Sequence, residues 1–488
     1  MSELAIALNR FGLGARGDES PPANPRAWLT GQLDRFEPRP PPIAAAPSRA
    51  EVAGQLADYL EEARREGRGR RRAMAPQPAS AGQGMSENDQ LAGLPDSARR
   101  FVRQASRRNY LAMVAARTGA ALTAPAPFVE RMVHFWANHF AVSADKLTVI
   151  GLAGLLEFEA IRPHVLGRFG DMLLAVEQHP AMLLYLDQAQ SIGPDSDGAR
   201  IAARFGRGRQ RRGLNENLAR EILELHTLGV DGGYAQADVT EFARALTGWT
   251  VGGLTRGPAA RFVGVSSPPG SFLFAERIHE PGPRTLLGRS YGQEGEAQAR
   301  AMLANLAADP RTARHLAHKL ARHFAGDDPP AAMVRRLERA WLASGGDLPT
   351  VYRAIVDSPE AWAPAQIKFR PPWDWSIAAL RALGVRHVEP QPAAGLLAQL
   401  GQPVWRPGSP AGYDDIAASW SGPDALMRRV EAAERLAARA GGQADARALA
   451  PRILPGALSA ATGQAIARAE SPGQGLALLL VAPEFLRR

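Results

Sequence analysis

The chain has 488 residues, of which 45% are apolar and 22% charged, with a net charge of +9 and no cysteine. Its length exceeds what one hydrophobic core usually serves, so two lobes or one large elaborated domain are expected, and the missing cysteines exclude disulfides, thiolate zinc sites and thiol nucleophiles. No apolar run is long enough to cross a bilayer, and Ala, Leu and Arg dominate while Val/Ile/Thr alternation is scarce, which predicts a mainly α fold, a large multi-helix domain.

Residues 1–37 read as short helices around the turn Phe11 to Gly14, packing on the core. The opening MSELAIALNR lacks the basic and apolar regions of a secretory signal, so a cytoplasmic location is the default expectation. Residues 38–97 are rich in Pro, Ala, Arg and Ser and poor in aromatics; they read as a low-complexity, partly mobile insertion with one helix near Glu51 to Arg65. From residue 98 to 488 the pattern is that of the main helical domain, with a lobe boundary expected near 290. Helical spacing runs through Phe101 to Leu122, Phe128 to Phe140 and Leu152 to Val165, with prolines at the starts. A small β-hairpin element is predicted near 250–275, from Thr250 to Gly252, Arg261 to Val265 and Ser271 to Phe274. Two arginine clusters, Arg64 to Arg72 and Arg200 to Arg212, read as solvated, Gly-interrupted loops. Neither is interleaved with the aromatic residues that base stacking requires, so nucleic acid is not an expected partner.

Four motifs could carry chemistry. In PFVERMVHFWANHFAVS, helical spacing puts Glu130, His134 and Asn138 on one face and Phe135 and His139 on a neighbouring one. In Gly213 to Trp249, a helix from Leu214 gives the apolar stripe Leu218, Ile222 and Leu225 and the polar face Asn217, Glu221 and Glu224, with Arg220 spaced to pair with Glu216 or Glu224. His279-Glu280 precedes a Pro-Gly-Pro turn, where a rigid loop can present side chains to a site built by helices. His315, Lys319 and His323 form a stripe that reads as a solvated basic face. The segments KFRPPWDWS (368–376) and GQPVWRPGSPAGYDD (401–415) are aromatic and proline-bounded, the kind that rims a cleft. A nucleophile elbow, a phosphate-binding Gly-rich Lys-Ser/Thr loop, a His-Glu-x-x-His helix and a dinucleotide fingerprint are all missing.

HFWANHFAVS, HPAMLLYLDQAQS, NENLAREILELHTLGVDGGYAQADV, ARALTGW, the His279-Glu280 loop, ARHLAHKLARHF and GQPVW…SPAGY together resemble the bacterial domain of unknown function 1800 family over nearly the whole chain. The resemblance implies a partner of the sulfatase-like domain of unknown function 1501 family and export alongside it. The family's pattern has His-Asp where this chain has His279-Glu280, and often Phe in place of His226, which shifts weight toward Glu221 and Glu224.

The expectation is therefore an enzyme acting on an envelope-associated or polymeric substrate. His134, His139, Glu221, His279 and Glu280 would hold a divalent metal that activates water, and Glu221, Glu224, Asn217 and Arg220 would do the catalysis. A metal-free version uses Glu221 or Glu224 as general acid. The rival expectation is a non-catalytic helical scaffold or accessory protein in which these clusters hold helices in register.

Overall fold

Proline and short polar caps start the helices that matter most here. The computed structural model describes residues 1–71, 96–204, 213–255, 259–262, 267–365, 368–440 and 444–488. The first long helix is α1 (Arg49–Arg71), followed by α2 (Arg107–Thr123). Helix α3 (Pro127–His139) has proline in its first turn, where its missing N–H costs nothing. Next come α4 (Phe169–Glu177) and α5 (Asn217–Glu221), which runs into a π turn (Ile222–His226), and then α6 (Gln236–Leu246). Helix α7 (Pro310–Ala325) starts at Asp309, whose carboxylate accepts the Arg311 N–H at 2.9 Å, and α8 (Pro372–Ala382) again starts on proline. The fold is mainly α, with two small antiparallel hairpins among the described residues.

The first hairpin pairs β1 (Trp249–Val251) with β2 (Phe272–Phe274), Trp249 opposite Phe274, close to where alternation predicts it. The expected middle strand is replaced at Ala259–Arg261 by a 3₁₀ turn, and residues 263–265 lie outside the described residues. A second hairpin, β3 (Arg284–Leu286) with β4 (Arg289–Tyr291), carries no Asn-Gly or Asp-Gly signal. Its two-residue turn is Leu287-Gly288, both at positive φ (52° and 76°), so a leucine takes the left-handed position that usually advertises such a turn.

The first arginine cluster is not a loop. Arg64, Arg65, Arg68, Arg70 and Arg71 lie on α1, where Ala, Leu, Glu and Arg outweigh the three glycines in helix propensity. In the second, Arg200 and Arg204 sit on a helix (Asp197–Arg204); Arg72 and residues 205–212 lie outside the described residues, as do 72–95 of the insertion.

The buried core runs from Ile6 to Leu486 and takes in residues on both sides of 290. At its centre Phe11 stacks on Phe324 (ring centroids 5.3 Å) and meets Trp362 at 4.9 Å, while Trp136 Nε1 donates to Tyr352 Oη at 2.7 Å. The last residues pair with the strand-like approach to α8. Arg488 N donates to Lys368 O at 2.8 Å, and Arg370 N to Leu486 O at 2.9 Å. This brings 11–12, α3, α7, α8 and 485–488 together beneath one opening. No helix among the described residues is long and apolar enough to cross a membrane.

Candidate functional site

A cavity of about 260 Å³ opens between the C-terminal half of α3, the C-terminal half of α7, the start of α8 and the segment 402–415. Helix α3 is buried along nearly its whole length, so its polar side chains cannot turn to solvent and must face either a partner or this cavity. The 402–415 segment is fastened over it at several points. Asn138 Nδ2 donates to Tyr413 O and Tyr413 N to Asn138 Oδ1, both at 2.8 Å. Gln402 Oε1 accepts the Trp373 N–H at 2.7 Å, and Tyr110 Oη donates to Val404 O at 2.8 Å. Gly412 sits at φ 80°, pressed so closely onto Asn138 O that a Cβ has no room. Trp405 is held at φ 50°, a conformation rarely adopted by a bulky residue and one that structures retain where the surroundings enforce it.

Three imidazoles line this space, each locked neutral. Burial pushes His134 below its ordinary pKa; its Nδ1 accepts from Trp373 Nε1 at 3.0 Å and its Nε2 lies 3.5 Å from Glu130 Oε1. Glu130 in turn holds Arg162 through both oxygens, at 2.7 and 3.0 Å. His139 lies well below the usual range, first through burial and then through Lys319. Its Nε2 donates to His226 O at 3.2 Å, so Nδ1 is left as acceptor for Lys319 Nζ at 2.9 Å. His323, lowered by burial to about 4, donates from Nδ1 to Asp415 Oδ2 at 2.8 Å while its Nε2 faces Arg488 and Arg131.

Below the floor runs a charged network. Arg131 Nη1 donates to Asp374 Oδ2 at 2.7 Å and Arg488 Nε approaches the same oxygen at 3.1 Å. Lys368 Nζ reaches Asp415 Oδ1 at 3.1 Å and Asp327 at 3.0 Å. Despite burial, Asp374 is held well below the carboxylate range by Arg131 and then Arg488, and Asp415 by His323 and then Lys368. Lys319 stands apart: burial lowers its pKa to about 8, and no carboxylate among the described residues forms an ion pair with it.

The residues picked out by sequence are distributed over several places. His134 and His139 line the cavity. Asn217, Arg220, Glu221 and Glu224 do not: Asn217 is exposed, and Arg220 joins Glu216, Gln236 and Thr240 in a clamp between α5 and α6, with Arg220 Nη2 donating to Gln236 Oε1 at 2.9 Å and Gln236 Nε2 to Glu216 Oε2 at 2.8 Å. Burial raises the half-buried Glu221, and Glu224 faces Tyr234. His226, at the end of the π turn, donates from Nδ1 to Oε1 of the buried Glu177 at 2.8 Å. His279 Nδ1 donates to Thr247 O at 2.9 Å, and Glu280 accepts the Asp195 N–H at 2.7 Å, tying one loop to another. Among the described residues, no three His, Asp or Glu side chains gather as a metal ion requires.

The stripe His315, Lys319, His323 is not a solvated face. His323 is buried, Lys319 half-buried, and both line the cavity, because segment 402–415 covers that side of α7. Arg117, Arg322, Asp374 and Asp415 also line it and carried no distinguishing spacing. Besides the His134/His139 helix, the usable signal is the pair of aromatic, proline-bounded segments: Pro371, Trp373, Gln402, Trp405 and Tyr413 form its rim.

A family model described as a protein of unknown function (DUF1800) matches residues 6–487, essentially the whole chain. The chain belongs to this family. The DUF1800 match spans every segment that builds the cavity, from α2 to residue 415. No curated protein and no solved structure matches the chain.

Proposed function

We propose that the chain is an enzyme whose acid–base group is Lys319, working in the cavity between α3, α7 and 402–415. What supports this is one hydrogen bond: Lys319 Nζ donates to the Nδ1 lone pair of His139 at 2.9 Å. A lysine serving structure alone is usually neutralised, as Lys368 is by Asp327 and Asp415. Lys319 instead leans on an imidazole whose other nitrogen is committed to His226 O, so the ring fixes the amine's position without quenching its charge. With a pKa of about 8, roughly a tenth of the amine is neutral at pH 7, able to take a proton or add to a carbonyl carbon, and the ammonium can return a proton. His139 is then a positioning residue. The metal-dependent version of the reading lacks a ligand set among the described residues, so no step here passes through a metal.

The chain has only three lysines, Lys146, Lys319 and Lys368, which makes the titration readable. Reductive methylation with ¹³C-formaldehyde should give a signal, assigned by its loss in Lys319→Arg, that titrates near 8. Titration near 10, the ordinary lysine range, would reject the assignment. In a screen of carboxyl ester, phosphate ester and glycoside hydrolysis, any turnover found should fall about 10²- to 10⁴-fold in Lys319→Met. A chain that melts differently but turns over equally would favour the scaffold reading instead.

A further inference from the structure

The cavity carries more uncommitted cationic donors than its carboxylates can satisfy. Arg117, from α2, is braced from three sides. Its guanidinium lies 3.9 Å over the Trp373 ring and 5.6 Å from Trp405, and its Nε donates to Glu157 Oε2 at 2.8 Å. Glu157 also accepts from Trp405 Nε1 at 3.0 Å, so one buried carboxylate fixes both the arginine and the tryptophan stacked beside it. The unusual backbone of Trp405 serves that arrangement. Its ring packs on Gly154, where a Cβ would come within 2.8 Å of the indole. With Nε and the ring face both held, the Nη edge of Arg117 is left as a rigid fork on the cavity wall, and among the described residues neither Nη nitrogen donates to a protein group.

Two more cations line the same space. Arg322 Nη2 donates to His318 Nε2 at 3.1 Å, its buried Nε has no partner, and no carboxylate among the described residues pairs with it. Lys319 donates to His139 Nδ1 at 2.9 Å and likewise forms no ion pair with a carboxylate among the described residues. The acids on the lining are engaged or turned outward. Asp374 holds Arg131 and Arg488, Asp415 holds His323 and Lys368, and Asp414 is exposed, accepting from Ser419 Oγ at 2.7 Å.

We infer that this cavity binds a small ligand through an oxyanion, a carboxylate or a phosphate, with the Arg117 fork on one wall and Arg322 and Lys319 donating to it. A planar guanidinium stacked on an aromatic ring is the preferred partner for such groups, because its parallel N–H bonds match two oxygens at once. The inference deepens the enzyme reading by giving the substrate its charged handle, and it rests on that cavity being the reaction site.

The test is thermal unfolding of the full chain with sodium malonate, sodium phosphate or sodium chloride at matched ionic strength. Malonate or phosphate should raise the midpoint by about 2 °C beyond chloride at saturation. Arg322→Gln and Arg117→Gln should each abolish most of that excess. Malonate alone active means a carboxylate handle, and phosphate alone means a phosphoryl one. Arg117→Gln removes a brace as well as a donor and could unfold the site. The ¹³C-methyl signal of Lys319 in the otherwise unaltered chain therefore provides a second readout, which should shift on adding the active anion and not on adding chloride. No excess stabilisation, or an excess untouched by both substitutions, overturns the inference. A Lys319 signal that moves with the anion but titrates near 10 would keep the binding site and discard the acid–base role.

Discussion

Glu280 shows how a carboxylate rich in ligand chemistry can be wholly absorbed by backbone. It is 1% exposed, accepts the Asp195 N–H at 2.7 Å and donates its own N–H to Thr247 Oγ1 at 2.8 Å. Gly193 approaches so closely that a Cβ there would come within 2.7 Å of Glu280 N and of its carboxylate. His279 completes the tie through Thr247 O. Replacing Glu280 with Ala leaves the Asp195 donor without its partner, and equilibrium urea unfolding should show a loss of about 1–3 kcal/mol. The Lys319 titration should stay where it is in that variant. A shift there, or no change in stability, would mean that the pair reaches the cavity after all. Lys319 presents the opposite case: its stripe on α7 has the spacing of an exposed face, and only a cover supplied by residues some 90 positions later makes it half-buried.

At the level of elements, local physics was legible and tertiary cover was not. Helix α3 starts at Pro127, where the sequence puts a helix start, and β1 pairs with β2 close to the predicted window, whereas Pro372 to Ser376 of the segment read as a cleft rim open helix α8. Helix α5 departs from its expected stripe because residues 222–226 form a π turn. The wider turn rotates the face, so Leu225 becomes half-buried and His226 fully buried, although a 3.6-residue period puts Leu225 inward. The polar wealth of 213–249 thereby becomes a clamp between α5 and α6, while the cavity draws on segments with no period at all. The cover itself is testable. Residues 402–415 hang on Asn138, which bonds both backbone groups of Tyr413. Asn138→Ala should make the stretch between Pro407 and Asp414 cleavable by thermolysin or proteinase K under native conditions at least tenfold faster, since local opening governs such cleavage. Cleavage at an unchanged rate would show that the other attachments suffice.

The whole molecule closes on buried charge: residues from both ends of the chain meet at Asp374. Arg131 reaches Phe11 O and Gly12 O as well as Asp374, while Arg488 reaches Arg10 O as well as Asp374. Around this knot His134, His139, His315 and His323 are all pushed below the ordinary imidazole value, chiefly by burial, His315 and His323 to about 4. An unfolded chain protonates these rings near 6.5 while the folded one does not, so between 6.5 and 4 the unfolded state binds more protons. Stability from this source is complete above about 6.5 and is lost as pH falls toward 4. His323 alone corresponds to on the order of 3 kcal/mol. Glu130, held at about 2 against Arg162 and His134 in spite of burial, adds a second stage with the same sign. Its contribution is present above the unfolded value near 4 and is lost as pH falls through about 2. Urea midpoints should therefore decline in two stages on acidification, the first beginning near pH 6.5, before the carboxylates titrate. His323→Gln keeps a side chain that can donate to Asp415 but cannot be protonated in the unfolded chain, so the first stage should shrink while the second persists. A midpoint that stays flat from pH 7 to 4.5 would mean that these histidines are not held neutral and that the knot around Asp374 is more open to water than its geometry implies.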